Sequence, residues 1–118
     1  MKRVSRNLQS VIKSDNNPVF NGAVFSGSMY TVSYILNEVD NTVHRNIQCV
    51  VEVLLGKVDG NQVACCTPYN MKFYEEIDGK LKPLLLWSWE YDTPEFRKNY
   101  NYVNNVIKRL FNKGKINV

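Results

Sequence analysis

From Val43 to Val58 the chain puts Ile47, Cys49, Val51, Val53 and Leu55 at every second position. Successive side chains of a strand point to opposite faces, so this run draws one apolar face along a long strand. Such a strand needs a neighbour on each side and a cover for its apolar face. Asp59-Gly60 at one end is a two-residue hairpin signal, and Asp40-Asn41 is a turn candidate at the other. A tight turn at Asp59-Gly60 sets Leu55 opposite Ala64 and Val53 opposite Cys66. A turn at Asp40-Asn41 sets Tyr34 opposite Ile47, Val32 opposite Cys49 and Tyr30 opposite Val51. Both turns bring apolar partners to the same face, an agreement that a one-residue slip destroys.

The flanking stretches read the same way. Val19–Phe25 is a short strand ended by Ser26-Gly27-Ser28, and Met29–Glu38 alternates about Tyr30, Val32, Tyr34 and Leu36. Gln62–Thr67 is a return strand limited by Pro68, and Met71–Ile77 follows it. Asp78-Gly79 turns the chain into Leu81–Tyr91, pairing Phe73 with Leu84, Met71 with Leu86, and Glu75 with Lys82.

The period then changes. Asp92-Thr93-Pro94-Glu95 is a helix start, with Asp92 or Thr93 as cap, Pro94 in the first turn, and a capping box to Glu95 if Asp92 caps. Phe96, Tyr100, Val103, Ile107 and Leu110 form one stripe, widened by Val106 and Phe111. Gly114 offers the left-handed stop. At the other end of the chain, Val4, Leu8, Val11 and Ile12 share a helical face, with Ser5 as cap and Pro18 as limit. The expected architecture is a single α+β domain over residues 1–118. Residues 1–16 form a basic arm or short helix. An antiparallel meander of five to six strands, curled or barrel-like, spans 19–91, and one amphipathic helix packs on it over 93–113.

Charge is unevenly placed. The net +4 divides into +4 over residues 1–13, −5 over 14–92 and +5 over 93–118. Basic ends flanking an acidic body predict either an anionic partner or ends that fold back onto the body. No apolar run is long enough to span a membrane, and no secretory signal follows the basic N-terminus. Cys49, Cys65 and Cys66 are few and odd in number, which predicts free thiols in a reducing compartment, the cytoplasm. The use of 15 asparagines against two alanines fits an AT-rich genome, such as that of a phage or mobile element.

The residues of chemistry do not converge. His44 is the sole histidine and has no nucleophile and orienting partner at a recognisable spacing. Cys65-Cys66 is an adjacent pair whose side chains fall on opposite faces of a strand, a poor basis for a metal site. Glu75-Glu76 with Asp78, and Glu90 with Asp92, read as solvated strand and helix ends. The glycines are isolated turn residues rather than a phosphate loop. The expectation is a protein without enzymatic activity, cofactor, metal or small-molecule substrate.

Two surfaces stand out. Trp87, Trp89 and Tyr91, joined across the hairpin by Tyr74, make an aromatic face that is either core or a partner surface. Arg97, Lys98, Lys108 and Arg109 on the polar side of the helix make an anion or nucleic-acid surface, with the N-terminal arm as second contact. The function expected is a small binding protein that acts through protein contacts, including with a second copy of itself. The alternative is a nucleic-acid-binding protein that uses the two basic ends.

Overall fold

The long alternating run is a strand over its whole length, and the sheet is built outward from it. The computed structural model describes residues 2–13, 20–21, 25–61, 67–88 and 90–114. In chain order these make β1 (Lys2–Lys13), β2 (Phe20–Asn21), β3 (Phe25–Asp40), β4 (Val43–Val58), β5 (Thr67–Ile77) and β6 (Lys80–Pro83). A 3-10 turn (Leu85–Trp87) and the helix α1 (Pro94–Asn112) follow. The sheet is antiparallel in the order β1-β3-β4-β5-β6, with β2 also on β3. It is an α+β meander with one C-terminal helix, and the sheet stays open instead of closing into a barrel. Among the described residues no helix is long and apolar enough to cross a membrane.

The face predicted to be core is the core. Tyr30, Val32, Tyr34 and Leu36 of β3, Ile47, Cys49, Val51, Val53 and Leu55 of β4, and Met71 and Phe73 of β5 are each at most 5% exposed. Val103 and Ile107 of α1 close over them. The pairing, however, differs from the expected register. The first hairpin turns at Asn41-Thr42 rather than Asp40-Asn41, so Tyr34 faces Cys49, Val32 faces Val51 and Tyr30 faces Val53. Asn41 takes the left-handed backbone at φ 56°, which asparagine tolerates better than most residues. The shift is two residues, so every side chain keeps its face.

Beyond Asp59-Gly60, whose φ values of 51° and 82° match a tight hairpin turn, the ladder also departs from expectation. Val53 faces Pro68 instead of Cys66, next to an irregularity between Glu52 and Val53. The predicted Leu55–Ala64 pair, and most of the Gln62–Thr67 strand, lie outside the described residues. Thr67 through Ile77 is one strand. Ser26-Gly27-Ser28 does not end a strand either, because β3 continues through it to pair Phe25 with Val58 along the full length of β4.

Three further expectations are corrected. The N-terminal segment is a strand, not a short helix, paired along β3 from Lys2↔Asp40 to Lys13↔Tyr30. The bulge between Leu8 and Ser10 inserts one residue and returns Val11 to the face of Leu8. The stretch Leu81–Tyr91 is not a strand. It pairs with β5 to Pro83, adds one bond from the Leu84 N–H to the Phe73 carbonyl at 2.8 Å, in line with the predicted Phe73–Leu84 pair, and then leaves the sheet in the 3-10 turn. The helix is capped by Thr93, whose hydroxyl accepts from the Phe96 N–H at 3.2 Å. Asp92 instead takes both hydrogen bonds from Arg97 at 2.6 and 2.8 Å, so the Asp92–Glu95 capping box is not made.

Candidate functional site

The two surfaces predicted from the sequence are both rearranged by the fold. The chain leaves β5 after Leu84, and the aromatic face comes apart with it. Trp87 turns inward and packs edge-on against Phe73 with ring centroids 5.6 Å apart. Its other flank carries the Arg45 guanidinium at 5.5 Å from the ring centroid. Tyr74 lies on β5 between Phe73 and Glu75, so it points to the opposite side of the sheet from them. Tyr91 is 44% exposed. Trp89 lies outside the described residues. The fold nevertheless brings Tyr74 and Tyr91 to one groove of about 410 Å³, walled also by Pro83, Leu84 and Leu85. Beside it Leu85 and Leu86 are 72% and 64% exposed, the most exposed large apolar side chains among the described residues.

The basic ends meet. β1 is an edge strand of the sheet, and Arg6 reaches from it to α1. Its Nε donates to Asn99 Oδ1 at 3.0 Å, and its guanidinium lies 5.7 Å from the centre of the Tyr102 ring. Lys98 and Arg109 are about three helical turns apart and share the Tyr102 side of the helix. Lys98 lines a cleft with Lys2, Arg6, Glu38 and Glu95. Arg97 and Lys108 fall on the outer line of the helix, and Arg97 is engaged by Asp92. The four cations predicted as one surface are therefore split into two pairs, and Arg6 joins the pair nearer the sheet.

Asn99 was not among the residues singled out from the sequence, and it is the polar centre of this region. It is 1% exposed in the middle of the apolar stripe. Its carbonyl oxygen accepts from Tyr34 Oη at 2.8 Å as well as from Arg6. Its amide nitrogen donates to the Glu95 carbonyl at 2.8 Å. Burial pushes the Tyr34 phenol above its ordinary range, so it remains a donor. The same burial pushes the neighbouring Cys49 thiol up to about 12, which leaves it a neutral core residue instead of a nucleophile. No sequence pattern marks Asn99 beyond its place in the stripe, where an apolar residue is expected.

Past the N-terminal end of the helix the core gives way to ions. Glu38 is 8% exposed and meets Lys2 Nζ at 3.5 Å and Arg45 Nη1 at 3.4 Å. Arg45 also holds Glu75 in a two-pronged pair at 2.8 and 2.9 Å. Glu75 faces Lys82 in the β5–β6 register as expected, but this ion pair makes it more than a solvated strand end. The Arg45 hydrogen bonds hold the Glu75 carboxyl below its ordinary 4.5, with burial opposing them.

A depressed folded value means that the stabilisation is fully present above about pH 4.5 and is lost as acid protonates Glu75. Glu75→Gln should cost about 1 kcal/mol at neutral pH, because solvent screens this partly exposed pair. The melting temperatures of variant and wild type should converge in acid. A constant gap at all pH values in calorimetry would refute the contribution of the pair.

Among the described residues no group of three His, Cys, Asp or Glu side chains is placed to hold a metal ion. His44 is exposed near the start of β4, opposite Val39. Comparison with protein-family models, with curated proteins and with solved structures gives no match.

Proposed function

We propose that this chain is a binding protein without enzymatic activity, acting through protein contacts at the groove between β5 and the 83–91 segment. The observation that carries this reading is the exposure of Leu85 and Leu86, 72% and 64%, beside a groove walled by Tyr74, Pro83, Leu84 and Tyr91. Aromatic and aliphatic anchors around a concavity are the usual core of a protein interface. Adjacent exposed leucines cost solubility unless something covers them.

A second reading rests on the convergence of the basic ends. Arg6, Lys98 and Arg109 surround the half-buried Tyr102 ring, and cations interleaved with an aromatic are what a single-stranded nucleic acid contacts. One pair of variants separates the readings. Leu85→Asp with Leu86→Asp should abolish concentration-dependent self-association of the wild type in sedimentation. The melting temperature should be unchanged, because both side chains are exposed. Lys98→Glu with Arg109→Glu should leave sedimentation unaltered. Wild-type protein that stays monomeric at every concentration and also binds no protein or peptide at this groove would count against the first reading. Oligonucleotide binding that the Glu variants abolish would promote the second, with a log–log salt slope of about −0.7 to −0.9 per phosphate.

A further inference from the structure

β6 covers only part of β5. Their pairing runs from Ile77↔Lys80 to Tyr74↔Pro83. One more bond joins the Leu84 N–H to the Phe73 carbonyl at 2.8 Å, and the chain then turns away. β5 itself continues back to Thr67. In an antiparallel strand, alternate residues direct both main-chain groups to the same edge. Phe73 directs its carbonyl outward, so Met71 presents its own N–H and carbonyl outward as well. Among the described residues no strand pairs with that edge between Thr67 and Met71. Met71 and Phe73 both line the groove, yet their side chains are in the core, 1% and 2% exposed. What they contribute to the groove is main chain. The groove is thus a slot beside an open strand edge.

We infer that this slot takes an extended peptide segment of a partner protein, which adds to the open edge of β5 as a further strand; the inference rests on the protein-contact reading above. Main-chain hydrogen bonds to Met71 would hold it, and apolar side chains would rest on Leu85 and Tyr91. The open edge has room for about five residues at roughly 3.3 Å each. Charge narrows the occupant. Lys72 alternates with Met71 and Phe73, so it points to the other face; it is exposed, and no described carboxylate forms an ion pair with it. An acidic side chain opposite Lys72 is favoured, and Glu90 on the other lip disfavours a second acid there. A second copy of this chain fits poorly. The described edges it could offer, β1, β6 and the 67–71 end of β5, carry Lys2, Arg3, Arg6, Lys13, Lys80 and Lys82 and no acid.

The test is selection of displayed random peptides of about six to ten residues, one strand's length, on the full-length protein. Selected peptides should alternate apolar and other residues, with an acid at one alternate position. N-methylation of the peptide amides should weaken binding about tenfold at every second residue and little between them, the loss expected for one edge hydrogen bond. Amide exchange at Met71 should slow on binding, and Leu85→Asp should reduce affinity. A uniform N-methylation profile, a helical bound peptide or an empty selection would overturn strand addition. If the selection is empty while self-association still depends on Leu85 and Leu86, only strand addition falls. If those leucines matter in neither measurement, the protein-contact reading falls too.

Discussion

Asn99→Ala should lower stability by about 2–4 kcal/mol in urea titration, more than its loss of side-chain volume explains. The replacement leaves the Tyr34 hydroxyl, in a residue 1% exposed, without its acceptor. It also frees Arg6 and the Glu95 carbonyl. The better helix propensity of alanine offsets only about 0.5 kcal/mol. Tyr34→Phe should cost less, about 1 kcal/mol, because Asn99 keeps Arg6. The two changes share one hydrogen bond, so the double variant should be more stable than the sum of the single losses implies, by at least about 0.5 kcal/mol. Strict additivity would show that the Tyr34–Asn99 bond contributes nothing to folding. Because Asn99 joins β1, β3 and α1, its loss should also speed amide exchange in β1, the edge strand.

Ile107→Ala should cost about 2–5 kcal/mol, and Val103→Ala somewhat less, since both side chains are fully buried. Phe96→Ala and Leu110→Ala should cost less than Ile107→Ala, because the ends of the stripe are only half-buried. Removing everything from Thr93 onward uncovers the faces of Tyr34, Cys49, Val51 and Phe73 together. At about 1.5–3 kcal/mol per large apolar side chain, that loss is as large as the whole stability of an ordinary domain. The truncated chain should be unfolded or insoluble. Cooperative unfolding of a monomeric truncated protein, followed by circular dichroism, would disprove the role of α1 as the cover of the core.

The surfaces were less legible than the core, and the turn at Leu85–Trp87 shows why. Read by periodicity alone, residues 81–91 are apolar on both faces and look like a sandwiched strand. The chain leaves β5 only after the Leu84 N–H has bonded the Phe73 carbonyl, and it then enters the 3-10 turn. Trp87 is thereby turned into the core side, and Leu85 and Leu86 are turned out. The 3-10 turn at Leu85–Trp87 thus converts a predicted aromatic face into a groove beside an open edge.

What local chemistry determines here is parity. A strand repeats every two residues, so the alternation about Ile47, Cys49, Val51 and Val53 selects the buried set, whatever the partner strand's register, up to an even slip. Both hairpin turns with Asp-Gly were readable because Asp59, Gly60, Asp78 and Gly79 all sit at positive φ, which few residue pairs favour. The helix was readable from its caps and its stripe. The register itself was not, because a two-residue shift at Asn41-Thr42 leaves every face unchanged and costs the pattern nothing. The N-terminal strand was not either. Its bulge between Leu8 and Ser10 puts Val11 three residues after Leu8 on one face, the spacing of a helix turn, and only pairing with the edge of β3 selects the strand. Asn99 looks like a misfit in the stripe until Tyr34, which is 65 residues away in sequence, brings its hydroxyl to 2.8 Å. A buried amide is stable only where distant donors satisfy it, and that is a property of the assembled core.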